Sequence, residues 1–304
     1  HKTERSELLV FEDKLEDNLI EIQNELIWHE YEVGRYRTFF VKEPTRRLVM
    51  ALPYKDRVVQ WAIYRQLNSY IEKRFINTSY ACRKEMGALR AVNKVQQYIR
   101  SVIARDGRVY ILKLDVRKYF YRVDHKIAMQ LFRRIIADKE LLGLLNKIVN
   151  ASECFGLDLE NLDYNNRLQD VGMPIGNLTS QMMANMYLNE LDQYAKHMLK
   201  THCYVRYMDD VIVVDGSKQR LWKVKSSIEA FLNAKLKLTL NSKARIQTVN
   251  QGLDFCGYRI WPDHIKLRKS TAIRAKRGIK KLNEDYQNGL IDWEKLNCSL
   301  QSYL

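Results

Sequence analysis

A chain of 304 residues with 51 Lys plus Arg against 36 Asp plus Glu carries a formal charge of +15 and a pI near 9.5. That length buries a substantial core and holds one large domain or two to three subdomains. The cation surplus favours a polyanionic partner, nucleic acid ahead of a membrane surface, because no basic amphipathic anchor stands out. The five cysteines stand apart without a Cys-x-x-Cys pair, which argues against a zinc site or disulfide framework and for a reducing, cytoplasmic setting. No apolar run is long enough to span a bilayer, and no signal peptide is visible. The chain opens at His1 rather than Met, so a few upstream residues are expected to have been removed.

Residues 4–33 have helical periodicity, with Leu8, Leu15, Leu19, Ile22, Leu26 and Ile27 along one stripe ended by Gly34. The segment from Tyr36 to Met50 reads as a β-hairpin whose tip holds Pro44, Arg46 and Arg47. Those guanidiniums are either solvated turn charges or a grip on a triphosphate, to which Arg is geometrically suited. A helix is expected from Lys55 to about Arg74 and another from Ala91 to Ile103. The basic connection between them, residues 80–90, carries Arg83 and Lys84, which either track a phosphate backbone or face solvent.

Arg108 to Val116 alternates as a strand, with Tyr110, Leu112, Leu114 and Val116 on one face and Ile111, Lys113 and Asp115 on the other. Residues 126–150 read as helical and 151–170 as a polar connection. The loop Gly172-Met173-Pro174-Ile175-Gly176-Asn177-Leu178-Thr179-Ser180-Gln181 then leads into a helix from Met182 to Leu199, with Thr179 or Ser180 as its expected cap. Glycine in such a loop also lets backbone approach a ligand closely.

Tyr204 to Val214 reads as two β-branched and aromatic strands joined by a tight turn, with Asp209 and Asp210 adjacent at its tip. Either the pair serves the turn, or the two carboxylates repel each other until a cation neutralises them. Oxygen donors of this kind suit Mg²⁺, which is usually held by one or two carboxylates plus substrate phosphates. An Asp ending an apolar strand is unusual for a core strand, and Asp115 makes sense as a third carboxylate at that site. Residues 217–240 follow as helix and strand, and 251–261 as another hairpin. From Lys266 to Lys281 eight of sixteen residues are Lys or Arg and none is acidic, with Ser270 or Thr271 able to cap a helix there. Such a helix lacks i,i+4 partners of its own, so an external polyanion is the sharper reading over a solvated face.

The ordered set of basic hairpin, Asp115 strand, Gly172–Gln181 loop, Tyr207-Met208-Asp209-Asp210, Asn241-Ser242-Lys243 and the Gly252–Trp261 hairpin resembles the reverse transcriptases of bacterial retroelements. The form Ile175-Gly176-x-x-x-Ser180-Gln181 departs from the Gln-Gly and Ser-Pro of most members, group II intron enzymes included. It looks like the loop of diversity-generating retroelement reverse transcriptases. The resemblance implies an α+β right-hand polymerase: fingers over 1–105 with part of 121–178, a palm with an antiparallel sheet over 106–262, and a short helical thumb over 263–304. No maturase or endonuclease domain is expected to follow.

It further implies RNA-directed DNA synthesis by a two-metal mechanism. Asp115, Val116, Asp209 and Asp210 would hold two Mg²⁺ ions, with Mn²⁺ as a substitute. The three aspartates would be catalytic. Arg46, Arg47, Phe120, Ile175, Gly176 and Lys243 would bind the nucleotide, Phe120 by rejecting a 2′-hydroxyl unless it is simply a core aromatic. Arg83, Lys84, Tyr207, Met208, Arg274 and Arg277 would contact nucleic acid. The implied partners are an RNA template, a DNA or RNA primer, deoxynucleoside triphosphates and a small basic accessory protein, with no membrane. The competing expectations are a CRISPR-associated or defence reverse transcriptase, and a non-catalytic RNA-binding scaffold. Intact carboxylates argue against the scaffold, since RNA binding would be helped by losing them.

Overall fold

Short runs of β-branched and aromatic residues around positions 110–115 and 204–215 build the central sheet, to which the helices are added on both faces. The computed structural model describes residues 6–41, 47–151 and 170–303, with Ser6 and Arg47 described by backbone alone. Three strands, β3 (Tyr110–Asp115), β4 (Tyr204–Tyr207) and β5 (Asp210–Asp215), join β6 (Arg245–Thr248) in the order β4-β5-β3-β6. Every pairing in it is antiparallel. The alternation read from the sequence holds. Leu112, Leu114, Val211 and Val213 enter one apolar cluster, and Ile111, Val205, Ile212 and Val214 enter a second.

The first cluster is closed by α3 (Tyr54–Glu72), α6 (His125–Arg133), α7 (Lys139–Asn150), α8 (Leu178–Gln193) and α9 (Lys218–Leu236). The second is closed by α4 (Ala88–Asp106) and the hairpin β7 (Leu253–Phe255) and β8 (Tyr258–Ile260). Val92, Val95, Ile99 and Val102, at i, i+3, i+7 and i+10 of α4, are all wholly buried. Each such side chain stabilises the fold by roughly 1.5–3 kcal/mol. The sheet is therefore a rigid double-sided platform.

Several boundaries differ from the sequence reading. The N-terminal helix is two helices, α1 (Ser6–Asp13) and α2 (Leu15–Ile27), hinged at Lys14. The helical stretch 126–150 breaks between α6 and α7 because the Asp138 side chain accepts from Glu140 N and Leu141 N and starts a new helix. A short α5 (Tyr119–Arg122) precedes them. Helix α8 starts four residues before Met182, on Asn177, so Thr179 and Ser180 lie inside it rather than capping it. It ends in a π-helical turn at Tyr194–Met198. The basic helix α10 (Lys269–Gln287) starts on Arg268 without a side-chain cap, so neither Ser270 nor Thr271 caps it. Two further elements carry no sequence signal of their own: β9 (Ile265–Leu267), which extends the β7–β8 sheet, and α11 (Trp293–Gln301), which packs on α10. The finger-like hairpin is present as β1 (Arg37–Val41) and β2 (Arg47–Ala51), paired from Arg37↔Ala51 to Val41↔Arg47. Its tip, and nearly all of the 151–170 connection, lie outside the described residues.

Candidate active site

Alternation along β3 and β5 fixes where the acidic side chains fall. Asp115 ends β3 directly opposite Asp210, the first residue of β5. Both share the sheet face of Ile111 and Ile212, at the sheet's end. Asp209 lies in the turn joining β4 to β5, beside Met208 at φ +54°. The three carboxylates read from the sequence thus arise from two adjacent strands and the turn between strands.

Two neighbours tune this end of the sheet, a role that the sequence alone assigned to neither. Asn241 Nδ2 donates to Asp115 Oδ2 at 2.9 Å, while Asn241 N donates to the Asp115 carbonyl at 2.7 Å. Lys113, two residues before Asp115 on the same face, donates from Nζ to the Asp254 carbonyl at 2.9 Å and stands 3.8 Å from Asp210 Oδ1. Burial pushes the Asp210 carboxyl above its ordinary value, with Asp115 adding to the rise and Lys113 and Arg268 opposing it. Cys256, in the β7–β8 turn, is pushed up to about 12 by burial and then by the charge of Asp210. The hairpin tip therefore comes close to the acidic end.

The turn itself is held from beneath by a wholly buried guanidinium. Arg206 Nε and Nη2 donate to the Asp192 carboxylate of α8 at 2.7–2.9 Å, and Tyr204 Oη donates to the same group at 2.7 Å. Arg206 Nη2 also donates to Ser79 Oγ at 2.9 Å. Its Nη1 donates to Asn185 Oδ1 at 3.1 Å and to the Met208 carbonyl at 3.0 Å. Met208 occupies a backbone region that costs a non-glycine residue roughly 1–2 kcal/mol. The bond to its carbonyl offsets that strain and fixes the peptide plane leading into Asp209. A readable signal existed: Arg206 has the inward parity of Tyr204, where a charge needs a buried partner.

The other expected residues divide. Val116 is buried, bridged to Leu240. Phe120 is half-buried, packed on the main core and edge-on to Tyr119 at 5.6 Å. Ile175 accepts from Met50 N at 3.1 Å through its carbonyl, which ties the loop to the β1–β2 hairpin while the side chain stays half-exposed. Gly176, at φ +124°, has the Met50 carbonyl 3.2 Å from where a Cβ would stand, so only glycine fits without displacement. Lys243 is exposed, with its backbone N donating to Asn241 Oδ1 at 3.2 Å. Tyr207 packs on one sheet face and Met208 on the other.

Arg83 corrects the expectation of a phosphate contact. Its guanidinium donates to Glu72 at 2.8 Å and to the carbonyls of Ile76 and Ser79 at 2.8 and 2.7 Å, inside the protein. Lys84 beside it is exposed, as are Arg274 and Arg277 on α10. An i,i+4 pair, which the sequence reading excluded for the basic stretch, does occur on α10: Lys280 lies 3.7 Å from Glu284. Arg46 lies outside the described residues, and Arg47 is known only as the strand residue paired with Val41.

The donor set at the end of the sheet is all hard oxygen, and it fits Mg²⁺. No group of three or more His, Cys, Asp or Glu side chains among the described residues is gathered to hold a metal alone. Four cysteines among the described residues, Cys82, Cys203, Cys256 and Cys298, are free thiols. No helix among the described residues is long and apolar enough to cross a membrane.

Residues 41–260 match the family described as reverse transcriptase (RNA-dependent DNA polymerase). Protein YkfC of Escherichia coli (strain K12) is 26% identical over 274 residues, covering 79% of this chain and 70% of its own length. The group II intron-encoded protein LtrA of Lactococcus lactis subsp. cremoris is 23% identical over 310 residues, 81% of this chain but 49% of LtrA. Among solved structures, apo telomerase from Candida tropicalis superposes with a TM-score of 0.58 at 12% identity, covering 84% of this chain and 54% of that one. Telomerase from Candida albicans, in complex with a fragment of telomeric RNA, gives 0.54 at 12% identity over 79% of this chain and 46% of the other. The chain thus shares the right-hand polymerase fold and spans about half the length of LtrA and of these telomerases.

Proposed function

This chain belongs to the reverse transcriptase (RNA-dependent DNA polymerase) family, and from that premise we propose that it extends a primer 3′-hydroxyl with deoxynucleotides on an RNA template. The observation that carries the reading is the register Asp115↔Asp210, with Asp209 in the adjoining turn. Residues 1–105, with part of 121–178, serve as fingers, 106–262 as palm and 263–304 as thumb.

Two Mg²⁺ ions, for which Mn²⁺ could substitute, would be held by Asp115, Asp209 and Asp210 with the Val116 backbone, and would activate the primer hydroxyl and neutralise the leaving pyrophosphate. The protein's own part is positioning. Asn241 keeps the Asp115 carboxylate aimed at the site, and Arg206 holds the turn that presents Asp209. Lys113 limits the repulsion between the facing carboxylates when the site is open. Gly176 lets the loop come within reach of a nascent base pair, and Phe120 stands beneath the incoming sugar. Arg46 and Arg47, with Lys243, neutralise phosphate charge as it develops.

The finer reading is an error-prone enzyme of a diversity-generating retroelement working with a small basic accessory protein. Support for it is the Ile175–Gln181 loop. Ile175 has no side-chain donor or acceptor where most relatives have an amide. One missing hydrogen bond is worth about 1 kcal/mol, roughly a fivefold change in selection and too little to abolish catalysis. Extension of a primer on RNA with Mg²⁺ tests the activity. Sequencing the cDNA made by the parent and by Ile175→Gln tests the finer reading. Misincorporation opposite template adenine is expected to fall in the variant, and equal error spectra from two equally active enzymes would remove Ile175 from fidelity.

A further inference from the structure

We propose that the end of the central sheet farthest from the carboxylates is a docking surface for a base-paired RNA segment flanking the copied stretch. Asp115↔Asp210 closes one end of the β3–β5 pairing and Tyr110↔Asp215 closes the other. Six paired residues put those ends roughly 17 Å apart. Three segments distant in sequence bring cations to the far end. They are the C-terminus of α4 with Arg105 and Arg108, the π-helical turn and the residues after it with Lys196 and Lys200, and the start of α9 with Lys218 and Arg220.

Contacts join these cations into one patch. Lys196 Nζ donates to the His202 carbonyl at 2.9 Å, and Arg220 Nη2 donates to the Lys200 carbonyl at 3.4 Å. Burial pushes the Cys203 thiol up while Arg105, Lys196 and Lys94 pull against the rise, so three cations surround one point. Burial also holds the Lys196 ammonium below its ordinary value, and Lys94 adds to the fall. The carboxylates interspersed with them are already engaged, Asp106 by Arg105 at 2.7 Å and Asp215 by Arg220 at 3.6 Å. Lys94, Lys196, Lys200 and Lys218 form no ion pair among the described residues. Like charges gathered this way repel each other, and an external polyanion removes the repulsion.

Charge spread over three segments fits the repeating phosphates of a backbone better than one phosphate. An acidic protein is the weaker fit, because a protein interface needs an apolar centre. Within residues 94–108 and 194–225 the large apolar side chains exposed are Met198 and Trp222, and Lys225 already lies 5.4 Å from the Trp222 ring centroid. RNA as the occupant rests on the reverse transcriptase reading, which makes the copied strand an RNA with uncopied flanks. The surface itself does not depend on that reading.

The test uses the full chain and two labelled substrates. One is a DNA primer on an RNA template with a single-stranded 5′ tail, and the other carries an RNA hairpin appended to that tail. Fluorescence anisotropy over a salt series reads both affinities. The hairpin is expected to tighten binding by about tenfold or more, because a tethered second contact adds to the first. It should also steepen log affinity against log salt by about 0.7–0.9 for each added phosphate contact. The triple variant Arg108→Gln, Lys200→Gln, Lys218→Gln changes only exposed side chains. It should melt like the parent, bind the hairpin-free substrate like the parent and lose most of the hairpin's gain. Changing Arg274, Lys276 and Arg277 on α10 to Gln should weaken both substrates alike and keep the gain. A parent with no gain from the hairpin overturns the surface, the result expected if an acidic protein occupies it. A gain that the triple variant keeps overturns it equally, because the hairpin then sits elsewhere. Extension of the hairpin-free substrate is scored separately. Extension without a hairpin gain leaves the reverse transcriptase reading standing, whereas a gain lost in the triple variant, without extension, sinks that reading and leaves the surface standing.

Discussion

Arg206 is the residue on which the acidic turn depends, because it bridges a buried charge and a strained backbone. Its guanidinium has no exposed surface, and neither has the Asp192 carboxylate. Replacing Arg206 by Met strands that carboxylate in the interior, at a cost of about 3–5 kcal/mol. The double change Arg206→Met with Asp192→Leu removes both charges and is expected to recover most of the melting temperature. It does not restore the bond to the Met208 carbonyl, so kcat should stay at least about tenfold down while the protein is again stable. Thermal melts paired with single-turnover extension separate the two effects, and a double variant with parental kcat would make the network structural only. Phe120 poses a similar question of divided duty. Phe120→Ala opens space at the core surface, at a cost below the about 3–5 kcal/mol of a fully buried ring. If the ring also guards the sugar, the variant should add ribonucleotides while still adding deoxynucleotides. An unchanged ribo/deoxy ratio in a folded variant assigns Phe120 to the core.

At the scale of elements, what was legible was what is local and periodic. The strand at Asp115, the hairpin at Asp209 and Asp210 and the burial faces of β3 and β5 follow from a period of two over β-branched residues. The partner of β3 on its other edge was not legible, because Arg245-Ile246-Gln247-Thr248 is short and mostly polar and is a strand only through its pairing with residues 110–113. The break at Lys14 and the π turn after Gln193 contain no Gly or Pro to announce them. The role of Arg83 was hidden because its partners, Glu72 and two carbonyls, are set by how the α3 C-terminus turns back. The basic helix α10 buries no residue and packs mainly on α11. Its exposed Arg274, Lys276 and Arg277 then lack a structural reason to be cationic. Changing these three to Gln is expected to weaken template–primer binding alike for all sequences. The slope of log affinity against log salt should also flatten, by about 0.7–0.9 for each phosphate the variant no longer neutralises. An unmoved slope would mean that this face meets a protein or solvent.

For the whole molecule, both faces of one antiparallel sheet are packed, by helices on one side and by α4 with the β7–β8 hairpin on the other. The acidic end is left as the part of the sheet that no core claims. Packing behind it holds Asp115 opposite Asp210, with Asp209 in the adjoining turn. The central claim is that these carboxylates carry out RNA-templated DNA synthesis. The most direct measurement is primer extension on an RNA template with Mg²⁺ by the parent and by Asp209→Asn, with template–primer affinity recorded alongside. The parent should extend and the variant should be slower by at least several hundred-fold, since metal stabilisation of the transition state contributes several kcal/mol, while both bind the hybrid equally. Extension by Asp209→Asn near the parental rate, or no extension by a parent that binds the hybrid, would contradict it.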